Sequence, residues 1–268
     1  MATKIGVLGI GKMGEALVKG LQRSTGSKQY PLMASIRSKD AAAEISKRLG
    51  IDCITDNKRL VESTQVVVLC VKPHQAKAVL EPLARSFTSK HLIISICASL
   101  TTAQISEWAG KKAAIVRAMP NTPCLIGEGM TAFCAGAGAT EEHMALTSKI
   151  FSTVGQAVSL EESLMDGVTG LSGCGPAYIY LVIEALSEAG VKVGLPRKTA
   201  TLLAAQTLVG AAKMVLERGE HPAALKDEVT TPAGCTIDGL MALEEGGLRV
   251  TLIKAVLAAT KRSQKISG

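Results

Sequence analysis

Between residues 4 and 160 the chain alternates short apolar runs with segments whose apolar residues return every three or four positions. The runs at 4–8, 32–35, 65–71, 92–96 and 114–119 read as strands. The stretch VVVLCV at 66–71 shows no polar alternation, as expected of a strand covered on both faces. Met13, Ala16, Leu17, Gly20 and Leu21 share one face of a helix. Strand and helix in repetition predict an α/β fold with a doubly wound, mostly parallel sheet, which runs at 130–135 and 156–160 would extend.

Past residue 161 the pattern changes. From 166 to 263 the period is helical and no strand pattern recurs. Pro176 opens a helix that Gly190 would stop after Ala189; Pro196 opens another, to about Leu216. The EEGG at 244–247 ends a third, and 248–262 form the last. The helix at 197–216 is apolar or small nearly all round, so it needs cover on every side. A domain of about 100 residues scarcely provides that, and a second copy of the chain is expected to. Two domains follow: 1–161 for a dinucleotide and 162–268, all helical.

Gly9, Gly11 and Gly14 sit where the first strand passes into the first helix. In that context the spacing G-x-G-x-x-G marks a pyrophosphate site: a tight turn, a close backbone approach, and a helix packed against its strand. The open N–H groups of the helix start, around Ile10, Lys12 and Met13, then face the phosphates. Ser35 lies 21 residues past Gly14, where an NAD enzyme places an acid on the ribose hydroxyls. Here Ser35, Arg37, Ser38 and Lys39 occupy that slot, which predicts NADPH, with NADH weaker. Ligands of open α/β sheets lie beyond the carboxyl ends of the strands. This brings in Val71, Lys72 and Pro73, then Ala98 in ICAS (96–99), then Met119, Pro120 and Asn121 in MPNTP (119–123). His74 beside Pro73 is a candidate proton donor, although a lone histidine is more often structural.

Near the end, Pro232 suits the first turn of a helix beginning about Ala233. The N–H groups of Gly234, Cys235 and Thr236 would then form an anion site for a substrate carboxylate, with the Thr236 hydroxyl in the same turn.

Composition narrows the function classes. The net charge of +7 is spread rather than blocked, and aromatics are 3%, too few for stacking single strands, so a polyanionic small molecule is expected rather than nucleic acid. The seven cysteines show no Cys-x-x-Cys and the four histidines are scattered, so neither a metal site nor a disulfide framework is expected. No uninterrupted apolar run reaches a membrane span of about 18 residues, and no charged leader precedes the first strand. A cytoplasmic protein is the expectation.

The residues also match a known family along essentially the whole chain. GIGKMGEAL (9–17), VKPHQ (71–75), RAMPNTPCLIGEG (117–129), GLSGCGPAYIY (170–180), EAGVKVGLPR (188–197) and GEHPAALKDEVTTPAGCTIDGL (219–240) resemble pyrroline-5-carboxylate reductase. The glycine turn is common to many reductases; MPNTP together with TTPAGCTIDGL is far more specific. The resemblance implies a Rossmann-type N-terminal domain and a C-terminal all-α dimerisation domain, with dimers that commonly assemble into decamers. It implies reduction of the cyclic imine 1-pyrroline-5-carboxylate to L-proline, the last step of proline biosynthesis. It implies Thr236 as proton donor, Asn57 against the adenosine ribose and Glu162 near the substrate; a solvated Glu at a helix start is the competing reading of Glu162. The chain departs from the common pattern at Cys97, Ser99, Cys174 and Ala233, all small for small. Ala233 would matter if its backbone needed a positive φ.

Three rival readings differ in what they require. A two-domain 3-hydroxyacid dehydrogenase would need a lysine in 166–190, and none is there. A non-catalytic NADP sensor would have no use for Thr236. Thiol chemistry at Cys174 or Cys235 would need a partner base, and the sequence offers none nearby.

Overall fold

A computed structural model of the chain describes residues 3–25 and 30–267. Contacts divide it into two compact units, residues 1–174 with 258–268, and residues 175–257.

The first unit is built on eight strands: β1 (Ile5–Leu8), β2 (Leu32–Ser35), β3 (Asp52–Ile54), β4 (Val66–Leu69), β5 (Leu92–Ser95), β6 (Ala114–Pro120), β7 (Gly129–Ala135) and β8 (Gly155–Ser159). They form one sheet in the order β3-β2-β1-β4-β5-β6-β7-β8. Every described pairing is parallel except β6 with β7. The helices between them are α1 (Lys12–Thr25), α2 (Lys39–Leu49), α3 (Asn57–Ser63), α4 (Pro73–Leu80), α5 (Thr102–Trp108), α6 (Glu141–Ser152) and α7 (Met165–Val168). The runs without alternation are explained by helices on both faces. Val66, Val68, Leu92 and Ile94 pack with Leu17, Leu21 and Phe151 on one side. Their neighbours Val67, Leu69 and Ile93 pack with Leu60, Leu80 and Ile105 on the other. Each such Leu or Phe contributes roughly 1.5–3 kcal/mol by leaving water.

β3 has no counterpart in the sequence reading. It has three residues, starts with an exposed Asp and forms the sheet edge, so it carries neither length nor pattern. Met165 of α7 packs against Ala132 and Cys134 of β7, which holds the segment after β8 to the sheet. That segment runs on through a π turn at Thr169–Gly173, closed by Cys174 N–H donating to the Thr169 carbonyl at 2.9 Å.

The second unit contains α8 (Gly175–Lys192), α9 (Arg197–Arg218), α10 (Pro222–Glu228), α11 (Cys235–Glu245) and the start of α12 (Leu248–Ser267), whose later turns belong to the first unit. Gly190 does not stop α8. It lies inside the helix, where a Cβ would come 2.7 Å from the Ala200 Cβ of α9. Close helix approach, not termination, is its use. The chain turns instead at Gly194, φ +99°. α9 buries only Ala200 and Ala204, and leaves Leu202, Leu203, Val209 and Leu216 exposed in the single chain. By length and composition α9 is able to cross a membrane. The expectation that no segment would do so counted uninterrupted runs, and Gln206 and Lys213 interrupt this one.

Candidate active site

A cleft of about 700 Å³ opens at the carboxyl ends of β1, β2 and β4. Gly9, Ile10, Gly11, Ser35, Arg37 and Asn57 line one part of it, and Val71, Lys72 and His74 another. Gly9 holds φ +83°, and a Cβ there would strike Val71 Cγ1 at 2.5 Å. Both conformation and space therefore demand glycine. A Cβ on Gly11 would meet nothing within 4 Å, so the backbone there is open; one on Gly14 would come 3.1 Å from Val7 Cγ1. The Ser35 carbonyl accepts from the N–H groups of Gly9 and Ile10 at 3.0 and 3.2 Å, which pins the turn to β2. Glu15 N–H is the first taken up along the helix, by the Gly11 carbonyl. Those of Lys12, Met13 and Gly14 have no acceptor within the helix. Arg48 grips both Glu15 oxygens, at 2.5 and 2.8 Å, and holds that carboxyl below the usual carboxylate range.

The cleft suits a phosphorylated dinucleotide. Among the described residues, no Asp or Glu lines it. Arg37 is exposed and pairs with no carboxylate among the described residues. Ser35 Oγ is buried without a hydrogen-bond partner. Ser38 caps α2, accepting from Ala41 N–H at 3.4 Å. Pro73 is the first residue of α4, with Lys72 as its cap. Thr55 and Gln75 also line the cleft, and neither carries a sequence signal for this role.

The remaining expected cofactor residues lie elsewhere along the same sheet edge. Ala98 follows β5, while Met119 and Pro120 end β6; none of them lines the cleft. The Asn121 side chain is engaged within the protein. Its Oδ1 accepts from Met130 N–H at 2.9 Å and its Nδ2 donates to the Ser172 carbonyl at 3.1 Å.

In the second unit, the expected helix start moves. Thr231, Pro232, Ala233 and Gly234 form a β-turn in which Gly234 N–H donates to the Thr231 carbonyl at 3.0 Å. Ala233 takes φ +58°, the left-handed conformation that a type II turn with proline at its second position asks of its third residue. The helix starts at Cys235, with Gly234 as its cap. Pro232 thus initiates a turn rather than the helix, and the Gly234 N–H is not open. The free donors are those of Cys235, Thr236 and Ile237. Cys235 is exposed and Thr236 half-buried in the single chain.

Glu162 opens a short 3-10 turn, Glu162–Leu164, and is about one-third exposed, but its side chain is engaged within the protein. Its carboxylate accepts from Thr102 N–H at 2.7 Å and Thr102 Oγ1 at 2.6 Å, in the first turn of α5 beside its cap Thr101, and faces Arg117 at 3.4 Å. Arg117 is 4% exposed. Burial pushes the Cys97 and Cys134 thiols up to about 11 and raises that of Cys70 as well. These are core residues, not nucleophiles.

Comparison with known proteins bears on what the two sites serve. A family model for pyrroline-5-carboxylate reductase dimerisation matches residues 162–266, and one for NADP oxidoreductases dependent on coenzyme F420 matches residues 4–99. The pyrroline-5-carboxylate reductase of Escherichia coli is 38% identical over 100% of this chain and 99% of its own length. That of Methanosarcina acetivorans is 42% identical over 98% and 97%. The chain belongs to the pyrroline-5-carboxylate reductase family. Among solved members, the enzyme from Coxiella burnetii superposes with a TM-score of 0.93 at 37% identity, covering all of both chains. The Plasmodium falciparum enzyme, solved with NADP bound, gives 0.86 at 34% identity over 99% of this chain and 98% of its own. The helical unit of this reductase family member therefore carries a dimerisation domain, and its exposed α9 falls inside it.

Proposed function

We propose that this chain reduces 1-pyrroline-5-carboxylate to L-proline, the last step of proline biosynthesis, with NADPH. The N–H groups of Lys12, Met13 and Gly14 hold the pyrophosphate, with Gly11 giving it room. Ser35, Arg37 and Ser38 hold the 2′-phosphate, and Asn57, Val71, Lys72 and Pro73 the rest of the nucleotide. Ala98, Met119, Pro120 and Asn121 shape the strand ends toward the nicotinamide. When bound, the nucleotide supplies the hydride that the imine carbon receives.

The open first turn of α11 carries this reading on the substrate side. Cys235 and Thr236 N–H donate to the substrate carboxylate, so no arginine is required. Thr236 Oγ1 donates its proton toward the ring nitrogen. A hydroxyl is a weak acid, so its help falls near the lower end of general acid catalysis, about 100-fold. Glu162, bound to Thr102 and Arg117, fixes the segment after β8 near the substrate. Residues 162–268 form the dimerisation and substrate domain. A second copy, rather than lipid, covers α9, and dimers build a larger ring, a decamer, in the cytoplasm.

NADPH consumption on adding pyrroline-5-carboxylate tests the reading, beside a control in which a 3-hydroxyacid is offered with NADP+ and NADPH formation is followed. Turnover of the imine alone supports it; turnover of the 3-hydroxyacid, or of neither, refutes it. Arg37→Ala should weaken NADPH by about 10-fold or more, the loss of one charge-assisted bond, and leave NADH nearly unchanged. Equal losses on both nucleotides would refute the 2′-phosphate assignment.

A further inference from the structure

The loop after β5 holds Ser99 at φ +60°, the left-handed region that a residue with a Cβ enters only against resistance. Ser99 is 5% exposed and Ser263, on the last helix, 4%. Their hydroxyl oxygens lie 3.3 Å apart. Ser263 Oγ donates to Asp166 Oδ1 at 2.6 Å. A hydroxyl has one proton to give, so Ser99 is the donor to Ser263. Asp166 Oδ1 in turn lies 3.8 Å from an Arg117 guanidinium nitrogen, and Arg117 faces the Glu162 that binds Thr102 at the start of α5. The loop after β5, the start of α5, strand β6, helix α7 and the end of α12 thus meet in one polar chain, all within the first unit.

We infer that Ser263 is a positioning residue for the cofactor site: anchored by Asp166, it receives the Ser99 hydroxyl and so fixes the backbone of residues 96–100. The placement explains why a serine stands at a left-handed position that glycine would fill without strain. Glycine would relieve the backbone and release the loop; serine accepts the strain and ties the loop to α12. The loop leaves the carboxyl end of β5, the strand next to β4, whose own end lines the cleft. A loosened loop therefore acts on the dinucleotide. The inference rests on the reading of that cleft as the NADPH site.

The test compares wild type, Ser263→Ala, Ser99→Gly and the double variant, all as the full chain. Three measurements are made: amide hydrogen exchange without ligand, the melting temperature, and NADPH binding by its fluorescence. Loss of the tie should speed exchange at 97–100 by about 10-fold and weaken NADPH by about 3–10-fold, as one hydrogen bond allows. The double variant should be no worse than either single one. Ser99→Gly should lose affinity without melting lower, because the strain leaves with the side chain. Affinity that merely follows melting temperature, or exchange at 97–100 unchanged in Ser263→Ala, would overturn the inference while leaving the cofactor reading intact. Wild type that fails to bind NADPH would overturn both.

Discussion

Gly9 and Ala233 both hold a left-handed backbone, φ +83° and +58°, and each stands a few residues before a helix start. The first turn has glycine, and the reason is double: a Cβ would collide with Val71 as well as strain the chain. The second has alanine, so strain of roughly 1–2 kcal/mol is retained there. The surroundings differ in the same sense. The Gly9 turn is sewn to β2 by two N–H groups on the Ser35 carbonyl, over a sheet buried on both faces. The Ala233 turn is closed by one hydrogen bond and is exposed in the single chain. At Gly9 the collision with Val71 excludes any side chain; at Ala233 a strained residue is accepted. The two turns are held by different means, one by packing and one by a local hydrogen bond.

Substitutions can break or sharpen that contrast. The largest effect should come from Gly9→Ala, which adds a backbone penalty to an overlap and should lower stability by about 2–4 kcal/mol. A denaturant midpoint at the wild-type value would show that the turn is not held as described. Thr236→Ala should lower kcat by up to about 100-fold with little change in melting temperature, and Thr236→Ser should recover most of the rate. Full kcat in the alanine variant at every pH would remove Thr236 from the chemistry. Ala233→Gly should have the smallest effect. Relief of strain is partly offset by a freer unfolded chain, so the melting temperature should rise by up to about 2 °C. A clear fall would mean that Ala233 makes contacts worth more than its strain.

Much of the first unit is legible in the sequence because buried strands write themselves as apolar runs. β4 and β5 were readable from Val66–Leu69 and Leu92–Ser95 alone. β3 was not, since three edge residues with an exposed Asp carry no period. Gly190 misleads because a glycine inside a helix and one beyond its end look alike until Ala200 is seen beside it. The start of α11 was misplaced because proline serves equally well in a first helical turn and in the second position of a β-turn. The glycine turn and the Ser35–Arg37 slot were readable as motifs of fixed local spacing. The ties of Glu162 to Arg117, 45 residues away, and of Ser99 to Ser263, 164 away, were not. Only the folded chain brings those residues together, and no local pattern announces them.

On the function proposed above, bare backbone donors at two helix starts hold the two reactants. A crystal structure with NADPH and L-proline bound tests it most directly. The account predicts the pyrophosphate on the N–H groups of Lys12, Met13 and Gly14, and the proline carboxylate on those of Cys235 and Thr236. A carboxylate held instead by an arginine or lysine side chain, away from residues 235 and 236, would contradict it.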